Sequence, residues 1–175
     1  KPMVGKTNLK VMVLDTDFYA RQAINSYLAW DRRTRVVHLA DSMESVMTYV
    51  RTTPPVQWPD VVLLDALAAE TPDELADLIK HLEGTIPNVM TLVLDRRCRP
   101  ETARAVARAD ANGYLIRDEL RIRIAWAIVW AQKHDFVVTA GVKDLLKDEF
   151  EGRLFRAAIV PERRGKRRNT VRIST

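Results

Sequence analysis

The sequence predicts a doubly wound α/β domain, with a five-stranded parallel sheet and helices on both of its faces. Five short apolar runs alternate with five segments of helical spacing along residues 9–133, as expected when strands are joined by helical crossovers. The third run, VVLL at residues 61–64, is apolar at every position, which is typical of a central parallel strand. The connections are short, as they are in compact sheets of this kind.

The first two strand–helix units occupy residues 9–55. Residues 9–14 predict the first strand, and the apolar spacing within residues 20–28 predicts the first helix, which Asp17 could cap. Residues 35–40 predict the second strand. Asp41 and Ser42 precede the second helix as candidate caps, and Pro54 and Pro55 end it.

The remaining units follow the strand at residues 61–64. Thr71 and Glu74 have the spacing of a capping box, with Pro72 at the first helical position, so the third helix begins there. Strands are predicted at residues 89–94 and 113–116, and helices at residues 100–109 and 119–133.

The basic character of the chain lies at its C-terminal end. The net charge is +5, and residues 161–175 carry six basic residues against one acid, so residues 1–160 are neutral overall. We expect a solvated, disordered tail, with nucleic-acid binding as the alternative. The candidate residues for that alternative are Arg163, Arg164, Lys166, Arg167 and Arg168.

Cysteine content and hydropathy exclude two classes of protein. Cys98 is the single cysteine, which excludes an internal disulfide framework and fits a reducing cytoplasm. The apolar runs are too short to cross a bilayer, so we expect no membrane partner.

The pattern divides the chain into four parts. We expect residues 1–7 to form a disordered lead-in and residues 8–134 to form the α/β domain. Residues 135–160 predict an amphipathic helix or linker, since apolar residues recur at helical spacing between Val142 and Phe155. Residues 161–175 form the basic tail.

Charged residues stand where four of the predicted strands end. Asp15, Asp65, Asp95 and Arg117 follow strands one, three, four and five, and ligands of open α/β sheets bind beyond these carboxyl ends. The chain has no nucleophile elbow and no metal-ligand spacing of histidines, so we expect no enzymatic activity. A flavodoxin-like or nucleotide-binding enzyme would need a loop rich in Ser, Thr or Gly after strand one.

Three segments carry a resemblance to a known family: LDTDFYAR at residues 14–21, PDVVLLD at 59–65 and ANGYLIRDE at 111–119. Over residues 8–134 the chain resembles the receiver domains of bacterial response regulators, in particular the LuxR-like subfamily. The resemblance implies a strand order of 2-1-3-4-5. It also implies a sensor kinase that phosphorylates Asp65, Mg²⁺ held by Asp15 and Asp65, and a switch aromatic at Tyr114.

The pocket departs from this family at three positions. Thr16 stands where the family has a second acid, and a hydroxyl is a poor ligand for Mg²⁺. Asp95 replaces a Ser or Thr that donates to the phosphoryl group, and an ionised carboxylate cannot donate. Arg117 replaces a lysine and could pair with Asp95, Asp65 or both. We therefore expect no resident cofactor, with Mg²⁺ as the alternative.

The fifth predicted helix is apolar on nearly every side between residues 120 and 131. A helix of this kind is buried on more than one side. Trp126 and Trp130 form one ridge, which could be ordinary core or could contact a homodimer partner, the C-terminal helix or an output domain.

Together these features predict the receiver domain of an atypical response regulator, a LuxR-like transcription factor whose DNA-binding part lies outside this chain. It would control dimerisation or output largely without phosphorylation. One alternative is a phosphorylatable receiver using Asp65 with Mg²⁺. Another is a stand-alone interaction module with a nucleic-acid-binding tail.

Overall fold

The computed structural model describes residues 8–148 and 152–162, and its strands form a parallel sheet of the order β2-β1-β3-β4-β5-β6-β7. The strands are β1 Leu9–Leu14, β2 Thr34–Ala40, β3 Val61–Asp65, β4 Met90–Asp95, β5 Gly113–Ile116, β6 Val137–Val138 and β7 Ala158–Ile159. The helices are α1 Phe18–Ala29, α2 Met43–Thr52, α3 Pro72–Thr85, α4 Pro100–Arg108, α5 Arg117–Leu120, α6 Ile124–Ala131, α7 Ala140–Leu145 and α8 Gly152–Phe155. The predicted fold class and the order of the first five strands are confirmed.

Local signals in the sequence fix where three helices begin. The side chains of Asp17, Ser42 and Thr71 accept hydrogen bonds from backbone N–H groups in the first turns of α1, α2 and α3. Each satisfies a donor that the helix itself leaves unpaired. Pro72 occupies the first turn of α3, where a missing N–H costs nothing.

The core has two layers, one on each face of the sheet. One layer joins the sheet to α2, α3 and α4, and the other joins it to α1, α5 and α6. β3 is buried along its whole length between them, as its continuous apolar run predicts. No helix in the described part of the chain has the length and hydropathy needed to cross a membrane.

The prediction of five strands is wrong, because β6 and β7 extend the sheet beyond β5. The Val137 N–H donates to the Asn112 carbonyl at 2.9 Å, and the Ala158 N–H donates to the Phe136 carbonyl at 2.9 Å. The absence of a side chain at Gly113 lets β6 lie this close to β5, because a Cβ there would lie 2.7 Å from Val137 Cγ2. Two-residue strands are too short to give a periodic signal.

The helix predicted between Val142 and Phe155 is also wrong. This segment contains α7 and α8, which are two separate short helices. Val142 and Leu154 are both buried in the same core layer as α2, α3 and α4. Residues 136–148 and 152–160 therefore belong to the body of the fold, whereas the sequence predicts a helix or linker there.

The fifth predicted helix, residues 119–133, is interrupted. A 3₁₀ turn, Arg121–Arg123, separates α5 from α6, and Arg121 has φ of 50° and ψ of −120°. A non-glycine residue rarely adopts this left-handed backbone, which costs of the order of 1–3 kcal/mol. The Arg123 guanidinium donates to the Glu119 carbonyl and so spans the break.

Candidate functional site

The four predicted pocket residues lie at the carboxyl ends of their strands, as the sequence predicts. All three carboxyl groups are buried, with exposed fractions of 2% for Asp15, 9% for Asp65 and 1% for Asp95. Ionised carboxylates are almost never buried to this extent without partners. Their partners divide the pocket into two clusters.

The first cluster joins Asp15 and Asp65 through Arg117. Arg117 Nη2 donates to Asp15 Oδ2, and the same nitrogen lies 3.1 Å from Asp65 Oδ2. The predicted pairing of Arg117 with Asp65 is confirmed, while the pairing with Asp15 was not predicted. One guanidinium thus bridges two carboxylates that would otherwise repel each other.

Backbone donors take the remaining carboxylate oxygens of this cluster. The Asp17 N–H donates to Asp15 Oδ1 at 2.9 Å, and the Leu67 N–H donates to Asp65 Oδ1 at 2.7 Å. The Asp65 bond closes the 3₁₀ turn Ala66–Ala68, which follows β3 directly. Each carboxylate is therefore held at both of its oxygens.

The second cluster joins Asp95 to Tyr114. The Tyr114 hydroxyl donates to Asp95 Oδ2 at 2.6 Å and accepts from the Arg99 N–H at 3.1 Å. Asp95 Oδ1 accepts from the Arg96 N–H at 2.8 Å, and Arg99 Nε lies 3.8 Å from Asp95 Oδ2. Asp95 is thus engaged by Tyr114 and Arg99, so the prediction that it could pair with Arg117 is not supported.

The surroundings of the two clusters shift the pKa values of Asp65 and Tyr114. Burial raises the pKa of Asp65, and the carboxylates of Asp15 and Asp95 raise it further. The Leu67 N–H and Arg117 oppose that rise. Burial and the hydrogen bond to Asp95 raise the pKa of the Tyr114 hydroxyl, which remains a donor. The Leu67 N–H and Arg117 thus both favour the ionised form of Asp65, which its burial disfavours.

The Mg²⁺ that the resemblance implies does not fit the residues present. Arg117 lies between the carboxylates of Asp15 and Asp65, where a cation ligated by both would have to lie. Thr16 is exposed and offers only a hydroxyl. Within residues 8–148 and 152–162, no group of three or more His, Cys, Asp and Glu side chains could hold a metal ion.

Apart from Tyr114, whose hydroxyl contacts Asp95, the remaining predicted site residues lie away from this pocket or outside the described residues. Tyr114 is fully buried, with its ring in the core layer of α2, α3 and α4. Trp126 and Trp130 lie on α6 with ring centroids 6.0 Å apart, and both are half-buried against the opposite layer. The basic tail from Arg163 onward and the lead-in at residues 1–7 lie outside the described residues.

Two contributors were not predicted from the sequence. Arg21 Nη1 donates to the Asp15 carbonyl at 2.7 Å and so ties α1 to the end of β1. Thr139 Oγ1 accepts from the Ile116 N–H at 3.0 Å and so fixes the end of β5 just before Arg117. Arg21 lies inside a motif of the resemblance, whereas Thr139 belongs to a segment that the resemblance does not cover.

Comparison with known proteins identifies the fold. No family model and no curated protein matches the chain. The isolated receiver domain of RcsB from Salmonella enterica serovar Typhimurium, in the presence of the phosphomimetic BeF₃⁻, superposes with a TM-score of 0.65 and 19% identity; the match covers 79% of this chain and 99% of that one. The receiver domain of the response regulator NarL from Mycobacterium tuberculosis superposes with a TM-score of 0.61 and 20% identity. This match covers 73% of this chain and 98% of that one.

A third solved structure, RcsB bound to the promoter rprA, gives a TM-score of 0.64 and 18% identity. The match covers 81% of this chain and 66% of that one. The chain therefore has the receiver fold, as its motifs predict.

Proposed function

We propose that this chain is the regulatory receiver domain of an atypical, cytoplasmic response regulator, and that it controls dimerisation or an attached DNA-binding output largely without aspartyl phosphorylation. The observation that carries the proposal is the bridge from Arg117 to Asp15 and Asp65. The Arg117 guanidinium supplies positive charge next to both carboxylates, so this charge comes from the chain itself.

The bridge opposes phosphorylation at the attacking atom. A carboxylate can attack a phosphoryl group only through a free oxygen lone pair, and attack between two anions needs a cation beside both. Asp65 Oδ1 is held by the Leu67 N–H and Oδ2 by Arg117. Each oxygen keeps a second lone pair, but a phosphoryl group and its cation would have to displace Arg117 from Oδ2 inside a buried site.

Asp95 opposes phosphorylation in a second way. Where the family has a hydroxyl donor, this side chain is an anion with no proton to give to a phosphoryl oxygen. It accepts from the Tyr114 hydroxyl, and that bond holds the switch aromatic inside the core. The inward position of Tyr114 is thus supported by a side chain, without a phosphoryl group.

Phosphorylation by acetyl phosphate with Mg²⁺ tests the proposal. We expect little or no phosphate adduct on the intact chain in mass spectrometry at mild pH. The matched comparison is a triple variant, Thr16→Asp, Asp95→Thr and Arg117→Lys, which restores the family's acid, hydroxyl and lysine. We expect this variant to gain an adduct that Asp65→Asn removes.

A near-stoichiometric adduct on the unaltered chain, abolished by Asp65→Asn, would establish the phosphorylatable receiver instead. In that case Arg117 must leave the carboxylates when the phosphoryl donor arrives. The further alternative, an interaction module with a nucleic-acid-binding tail, depends on residues beyond Glu162 and receives no support from the pocket.

A further inference from the structure

We propose that a second copy of this chain binds to the outward face of α1, with the two α1 helices antiparallel about a two-fold axis. The seam of the contact consists of Tyr19, Ala23, Ser26 and Trp30. The inference rests on the proposed regulatory function, in which self-association is one of the properties that the domain controls. It locates the contact on α1, whereas the sequence pattern indicates Trp126 and Trp130 as candidates.

Large aromatic side chains on α1 are exposed to an unusual degree. Tyr19 is 82% exposed and Trp30, the residue that ends the helix, is 90% exposed. Phe18 is also exposed and packs edge-on against Tyr19, with ring centroids 5.5 Å apart. Grouped exposed aromatics mark interaction surfaces more often than scattered apolar residues do.

The exposed residues of α1 share one face of the helix. Tyr19, Ala23, Ser26 and Trp30 are spaced four, three and four residues apart, which is the seam of a helix that packs against another helix. This seam is about 16 Å long at 1.5 Å per residue.

None of the exposed residues of α1 carries a charge. The helix has one charged side chain, Arg21, and its guanidinium is directed to the Asp15 carbonyl. In a chain whose residues are 29% charged, an uncharged outer helix face is the composition expected of a buried interface core.

The seam is complementary to itself. In an antiparallel pair centred between residues 24 and 25, Tyr19 of one copy faces Trp30 of the other, and Ala23 faces Ser26. The small residues at the centre let the two backbones approach, and an aromatic pair closes each end. A two-fold contact requires this kind of correspondence, since each residue must fit its partner in both directions.

The exposed aromatic area approaches that of a small specific interface. Aromatic side chains bury roughly 150–250 Å² each, so Phe18, Tyr19 and Trp30 offer on the order of 400–500 Å² per copy at their present exposure. Two copies would bury about 800–1,000 Å² through these rings alone, close to the size at which specific interfaces begin. Trp126 and Trp130 offer less, because both are already half-buried against the core.

Light scattering coupled to size exclusion of the full chain tests the proposal. We expect a dimer at ~100 µM, a concentration at which a micromolar contact is mostly occupied. Ala23→Glu places a charge at the centre of the seam and is expected to weaken association at least ~100-fold, since the charge has no partner there. Thr48→Glu, an exposed position on α2 across the sheet, is the control and should leave the dimer intact.

A mixing experiment tests the antiparallel geometry. Ser26→Lys alone should also give a monomer, whereas an equal mixture of the Ala23→Glu and Ser26→Lys chains should recover dimers, because position 23 faces position 26. A monomeric unaltered chain would overturn the proposal, and so would a dimer that Ala23→Glu leaves unchanged. Both measurements are made on the unphosphorylated chain. Failure of the dimer proposal is therefore distinguishable from failure of the proposed function, which the phosphate adduct tests.

Discussion

Arg117→Met is expected to lower the free energy of unfolding by about 3–5 kcal/mol at neutral pH, the usual cost of leaving buried charges without their partner. Methionine keeps most of the length of the side chain but removes the guanidinium that bridges Asp15 and Asp65. Two buried carboxylates would then repel each other with backbone donors as their remaining support. Urea denaturation at neutral pH measures the loss.

The control for this variant is Arg117→Lys, which keeps the positive charge but lacks the planar guanidinium that can donate to two carboxylates. We expect a smaller loss, because an ammonium group can still contact one carboxylate. If Arg117→Met costs under about 1 kcal/mol, a typical value for an exposed ion pair, then Arg117 does not hold the pocket together.

The pH dependence of the Arg117→Met variant gives an independent readout. Without the guanidinium, the pKa of Asp65 is expected to rise further above its ordinary value of 3.8, because one of the two groups that oppose the rise is gone. As the pH falls through this raised pKa, the folded chain takes up a proton before the unfolded chain does, so the variant regains stability. The deficit should therefore be largest at neutral pH and should shrink toward pH 4.

Phe136→Ala is expected to cost about 3–5 kcal/mol, the usual range for a large side chain removed from a core. Phe136 is buried in the layer that contains α2, α3 and α4, and the Arg153 guanidinium lies 5.0 Å from its ring centroid. Its carbonyl also accepts from the Ala158 N–H, the first bond between β6 and β7. The loss should appear in the same urea denaturation measurement.

Phe155→Ala is the matched control, since it removes the same side chain from the same segment. Phe155 is 56% exposed, so the expected cost is within about 1 kcal/mol. Equal effects from the two substitutions would contradict the view that residues 136–148 and 152–160 belong to the body of the fold. A chain that ends near His134 should, on that view, fail to fold cooperatively.

The sequence predicts the central sheet because its signals there are local. The continuous apolar run of β3 and the caps Ser42 and Thr71 each depend on neighbours within a few residues. The pocket positions were also predictable, because the carboxyl ends of parallel strands meet at one edge of the sheet. The sequence therefore locates Asp15, Asp65, Asp95 and Arg117 without the structure.

What the sequence could not predict depends on side-chain direction and on distant contacts. The charges in the sequence allow Arg117 to pair with Asp95, Asp65 or both. In the structure the Tyr114 hydroxyl donates to Asp95, and Arg117 pairs with Asp15 and Asp65. The strands β6 and β7 depend on pairing with Asn112 and Phe136, which no local pattern indicates. The break at Arg121 lies within a strongly apolar helical pattern, so periodicity alone predicts a continuous helix.

The most direct test of the account is the response of thermal stability to Mg²⁺. If Arg117 takes the place of the metal, ~10 mM MgCl₂ should leave the melting temperature of the unaltered chain unchanged relative to a salt of equal ionic strength. The variant carrying Thr16→Asp and Arg117→Lys should be stabilised, by ~1.4 kcal/mol if the free ion is at tenfold excess over its dissociation constant. A rise in the melting temperature of the unaltered chain that Asp15→Asn abolishes would contradict the account, because it would place Mg²⁺ where Arg117 lies.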